Sequence, residues 1–202
     1  MKTLRAAGLY LVLTVALTWP LVTQLRVMDA GDSAFFAWEI GWTVHALLTD
    51  PATLPHGNIF HPLRYTLGLD EPIFGSTALV LPLAAFTRDA VLLHNVLRLL
   101  TFVLSALATC WLARELGCRE GVALLAGALF AFSPIRTDQM LAHLSTLGTQ
   151  WWPLLLLFAF RFARRGRLCD ALLAALFFVL ALALPTIAHP FAILAAGLYA
   201  NN

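Results

Sequence analysis

Two stretches carry residue types and spacings that chemistry could use. The first is the polar segment 26–71, which gathers Asp29, Asp32, Glu39, Asp50, Asp70 and Glu71 with Asn58, His56 and His61. A carboxylate held close to an acceptor hydroxyl and partly screened from water can act as a general base and take the hydroxyl proton. Asp32 and Asp29 both lie just beyond an apolar run, where such a group would meet an acceptor. The plainer alternative is a solvated carboxylate, or in Asp32 a cap on the helix that follows. The second stretch is Phe132–His143. Arg136, Gln139 and His143 stand at i, i+3 and i+7, so one helix face would hold all three if the helix were unbroken. A guanidinium, an amide and an imidazole suit a phosphate or pyrophosphate leaving group, with Arg136 as its charge partner. The competing reading is an arginine that snorkels to lipid headgroups.

The elements that must position these groups follow from composition. Of 202 residues, 60% are apolar and 12% charged, and the mean hydropathy is +0.82. Soluble domains run about 45–50% apolar and about 25% charged. A soluble core of this size could not hide so much apolar surface, and 14 Phe with 6 Trp exclude disorder. The sequence therefore predicts an all-α, polytopic transmembrane helical bundle, a single domain over 1–202, because backbone groups in lipid must be bonded within their own segment.

Spans are predicted at about 6–25, 91–112, 118–135, 144–160 and 168–185, with the start of another at 191–202. A cleaved signal peptide is the alternative for the first run, which is long for that role and lacks a following A-x-A site. The run Pro72–Phe86 is short and contains Gly75 and Pro82. Charge placement argues that it does not cross. With the N-terminus inside and this run re-entrant or interfacial, eight of the 13 basic residues face inside, including the Arg161–Arg167 cluster, and only three of the 11 acidic residues do. The external loop then covers about 26–90. The last run has too few residues to cross a bilayer, so the chain reads as the N-terminal portion of a longer protein.

Within the loop, Asp32 to Leu48 reads as an interfacial helix ended by Asp50-Pro51. Phe35, Trp38, Trp42 and His45 form one stripe on it. Interfacial anchoring explains the two tryptophans, and an aromatic wall for a sugar or a lipid head is the functional alternative. Arg98 and His94 fall in or beside the second span, where snorkelling and internal pairing compete with function. His189-Pro190 follows the fifth span on the outer side. The three cysteines form no framework, since none lies in the external loop. No zinc motif, Walker A sequence, G-x-G-x-x-G or G-x-S-x-G is present, and no internal repeat. No structural zinc site and no nucleic-acid partner is expected, and a divalent-metal requirement is left open.

The ordered motifs Gly31-Asp-Ser-Ala-Phe-Phe-Ala-Trp38, Trp42, His45, Asp50-Pro51, Asn58-Ile-Phe-His-Pro62, Glu71, Leu81-Pro-Leu83, Asn95, Phe130-Ala-Phe-Ser-Pro-Ile-Arg136, Gln139, His143 and Gln150-Trp-Trp-Pro-Leu154 are familiar together. Over about residues 1–190 the chain resembles bacterial polytopic membrane proteins of GT-C-like glycosyltransferase architecture, similar in layout to polyprenyl-phosphate sugar transferases. The resemblance implies a multi-pass protein of the bacterial inner membrane with a cytoplasmic N-terminus, a lipid-phosphate-linked sugar as donor, and an acceptor on the periplasmic face. It implies Asp32 as catalytic base, with Asp29 as rival. Arg136 and His143 would by position serve the donor phosphate, and Glu71 would orient the acceptor. The two other classes in contention are a transporter or flippase for a lipid or small solute, and a non-catalytic membrane assembly protein.

Overall fold

The computed structural model describes residues 2–29, 31–69, 72–139 and 143–182. Among them are ten α-helical segments and no strand. The organising element is α5, Ala90–Glu115, 26 residues long and hence about 39 Å. It begins where Asp89 accepts a hydrogen bond from the Leu92 amide at 3.0 Å, a side-chain cap on an orphan N–H. It is the one helix among the described residues that is long and apolar enough to cross a membrane.

The other predicted spans are shorter helices. α1, Lys2–Leu17, has 16 residues and does not reach Leu25. Pro20 is the physical reason, because a proline disfavours helical backbone at the residue before it, here Trp19. α6, Glu120–Ala131, has 12 residues. The run at 144–160 is split, with α8 at Leu144–Leu147 and α9 at Trp151–Arg165. Gly148 supplies the break, and Gly166, at φ +62°, ends α9 in the left-handed conformation that glycine adopts without strain. α10 runs Leu168–Leu182. The end of the fifth predicted span, His189 and the run at 191–202 lie outside the described residues.

In the loop region α2, Ser33–Thr49, is a 17-residue helix. Two one-turn helices, α3 at Phe74–Thr77 and α4 at Leu81–Ala84, occupy the run Pro72–Phe86. α7 is Pro134–Gln139.

The two halves of α5 pack differently. Near its Ala90 end, Leu93, Leu97 and Phe102 join Phe36, Ile40 and Val44 of α2 and Leu144 and Leu147 of α8 in one core. α2 docks one face on α5 through this core. Near the Glu115 end, Ala106, Cys110 and Ala113 meet Ala6 and Tyr10 of α1 and Ala123 and Ala131 of α6. Small residues allow backbones to approach closely. Gly127 of α6 is the tightest point, where a Cβ would overlap the Tyr10 hydroxyl and the Ala106 carbonyl oxygen. The Glu115 end is closed by charge. The Glu115 carboxylate, 9% exposed, accepts from Arg161 Nε at 2.7 Å and also from Arg165. The basic cluster read as a topology signal thus also clasps α9 to α5.

Candidate functional site

The residues with chemical potential gather at the Ala90 end of α5, and that helix fixes them. Asn95 is fully buried. Its Nδ2 donates to the carbonyls of Leu25 and Val27, both at 3.0 Å. Those two bonds hold the non-helical segment after α1 against α5. Asn95 Oδ1 accepts from Arg98 Nη1 at 3.0 Å and lies 3.1 Å from His94 Nδ1. Arg98, 1% exposed, pairs through Nη1 with Asp29 at 2.5 Å. Internal pairing is therefore the fate of Arg98, and Asp29 is its partner. A buried arginine without a carboxylate costs several kcal/mol, roughly 3–5 when one partner is removed.

Asp32, the other candidate base, stands three residues on. It occupies the N-cap position of α2 but makes no side-chain capping bond. Its carboxylate, 62% exposed, instead approaches His143 Nδ1 at 3.6 Å, and the imidazole is 45% exposed. That approach joins the first polar stretch to the second. A half-exposed carboxylate beside an imidazole can take a proton from a hydroxyl and share it with the ring.

Arg136, Gln139 and His143 do not share a helix face. α7 ends at Gln139, and His143 has extended backbone at φ −130°, ψ 90°. Pro134 starts the helix as expected, but six residues are too few to carry a face through to position 143. Arg136 turns inward. It is 5% exposed, donating from Nε to the Ala131 carbonyl at 3.0 Å, from Nη1 to Thr149 Oγ1, and from Nη2 to the Thr101 carbonyl at 3.5 Å. Its guanidinium lies 5.4 Å from the Phe102 ring centroid and 5.8 Å from that of Phe130, distances at which a cation is attracted to the ring face. Burial lowers its pKa to about 10, so it stays a cation at neutral pH. Snorkelling to headgroups is not what this side chain does.

The tryptophans of α2 are staples. Trp38 Nε1 donates to Asn58 Oδ1 at 2.7 Å and Trp42 Nε1 to the Leu54 carbonyl at 3.1 Å. Both polar edges are thus used to fold the segment 50–69 back on α2. Gly57, at φ +47°, permits the return, since a Cβ there would crowd Thr66 and Trp38. Asn58 is the acceptor in this staple. Glu71 and the Gln139 side chain lie outside the described part of the structure.

Three participants carry weak sequence signals. Glu39, 1% exposed, accepts from the Ile73 amide at 2.7 Å and ties α2 to the chain leading into α3. Asn95 looks like one amide in an apolar run. Thr149 gives no hint that it receives Arg136. The Arg98–Asp29 pair was open to discovery, because an arginine in an apolar helix demands a carboxylate. Among the described residues, no group of three or more His, Cys, Asp or Glu is placed to hold a metal ion.

No known protein family, no characterised protein sequence and no solved structure matches this chain.

Proposed function

We propose that this chain is part of a polytopic inner-membrane glycosyltransferase of GT-C type, which transfers a sugar from a polyprenyl-phosphate-linked donor to an acceptor on the periplasmic face. The Ala90 end of α5 would face outward and the Glu115 end, with its arginine cluster, inward. The observation that supports the reading is the approach of Asp32 to His143 at 3.6 Å, because it brings the candidate base and an imidazole from two separate chain segments together. Asp32 takes the acceptor proton and His143 shares it. Asp29 is already committed to Arg98, which leaves Asp32 the freer carboxylate. Membrane lipid and the lipid-linked sugar are the partners in this reading. Replacing Asp32 with Asn in the full-length protein removes transfer from polyprenyl-phosphate sugars while the protein stays folded in the membrane. Undiminished transfer by that variant rejects the assignment.

One observation favours a transporter instead. Asn95, Arg98, Thr101 and Ser105 form a buried polar line running from the Ala90 end toward the middle of α5, and polar groups at mid-membrane depth mark solute paths. Uptake that depends on Ser105 and not on Asp32 would decide for it.

A further inference from the structure

The core around the Ala90 end of α5 buries two guanidinium groups and the Glu39 carboxylate. Arg98 and Arg136 are 1% and 5% exposed. Asp29 pairs with Arg98, and among the described residues no carboxylate pairs with Arg136. Buried charges are normally paired and fully hydrogen-bonded, and Arg98 is paired but not fully hydrogen-bonded. The geometry of Arg98 adds the second argument. Its fork has five N–H donors. Both bonds it makes use Nη1, while Nε and Nη2 have no acceptor. Nε and Nη2 are adjacent on one side of the guanidinium plane. They form an edge that grips two oxygens of a phosphate or carboxylate at once. The way in passes Asp29, whose side chain is 35% exposed and which lies on a segment with no helical hydrogen bonding.

We propose that the Nε–Nη2 edge of Arg98 binds a phosphate oxyanion, with Asp29, on the Nη1 side of the same guanidinium, weakening the site from within. Asp29 offsets the Arg98 charge, so it is an internal brake on anion affinity and not only a structural partner. Where the oxyanion is lipid-borne, the proposal rests on the membrane reading above; binding of the anion does not require sugar transfer.

The test uses the whole protein in phosphatidylcholine nanodiscs, with two probes. Inorganic phosphate is titrated by calorimetry, and undecaprenyl phosphate in the disc is scored by native mass spectrometry. Wild type binds at least one probe. Asp29→Asn binds that probe at least about tenfold more tightly, the direction set by removing a negative charge a few ångströms away in a poorly screened site. Arg98→Lys, which keeps the charge and loses the fork, binds at least about tenfold more weakly. Retention of undecaprenyl phosphate without inorganic phosphate binding identifies a lipid headgroup as the source; the converse identifies a free phosphate compound. Failure of both probes to bind wild type and Asp29→Asn overturns the proposal. So does unchanged or weaker binding by a folded Asp29→Asn. Glu120→Gln, whose carboxylate pairs with Arg114 at the far end of α5, serves as the charge control: it binds as wild type does, and transfer by Asp32→Asn is read separately.

Discussion

Asn95 is the residue whose replacement should reveal whether the Ala90 end of α5 is a built site or a chance gathering. Asn95→Leu keeps much of the side-chain volume and deletes every polar contact. Two donations to the Leu25 and Val27 carbonyls vanish, each worth about 1 kcal/mol net. Arg98 Nη1 loses its second acceptor, a bond from a charged group worth roughly 1.5–3 kcal/mol. The sum is about 4 kcal/mol. For a chain of this size each kcal/mol moves the melting temperature by about 2–4 °C, so Tm should fall by roughly 8–16 °C. Tryptophan fluorescence during a thermal ramp of the purified protein measures it. Asn95→Asp separates the parts: it keeps an acceptor for Arg98, loses the two donations and sets a carboxylate oxygen against the Leu25 and Val27 carbonyls, so it should cost at least about 2 kcal/mol. A Leu variant that melts within about 2 °C of wild type would refute the reasoning, because it would mean that the segment carrying Asp29 is held by something other than Asn95.

Two further substitutions probe the rest of α5. Gly127→Ala should destabilise by about 1–3 kcal/mol through overpacking, since its Cβ meets the Tyr10 hydroxyl and the Ala106 carbonyl. Pairing it with Tyr10→Phe should restore part of the loss, which the same thermal ramp would register. Glu115→Gln should cost about 1–2 kcal/mol. Most of that belongs to Arg161, because Arg165 is 41% exposed and an exposed pair contributes little. Its cost should shrink in high salt; a salt-independent loss would point to packing instead.

What could be read from the sequence divides by physical range. α5 was legible to within one residue at its start and three at its end, because a long apolar run is a local signal. The all-α character was legible for the same reason. The length of α1 was overestimated because hydropathy runs on through Trp19-Pro20 while helical backbone does not. The face joining Arg136, Gln139 and His143 failed because spacing was counted across a break that local sequence signals weakly. The Trp stripe of α2 was visible, but its use was not. Both indole N–H groups bond to residues more than ten positions away, and no local pattern reports such pairings. Asp32 and His143 were each singled out separately; their meeting depends on how both chain segments fold against α5.

That dependence is why α5 decides between the functional readings. Its Ala90 end supplies Asn95 and Arg98, which hold the segment bearing Asp29, and Thr101 and Phe102, which receive Arg136. Asp32 follows directly on the first segment, and His143 follows the second. A site built from loops but referenced to one rigid helix can keep a carboxylate and an imidazole in register. A surface of unrelated loop residues has no reason to send two separate segments, one bringing Asp29 and the other Arg136, to adjoining turns of the same helix. If Asn95→Leu abolishes transfer with little change in donor affinity, α5 acts by placing the base. If donor affinity falls in step, α5 is itself part of the binding surface, and the Arg98 edge is the place where the phosphate sits.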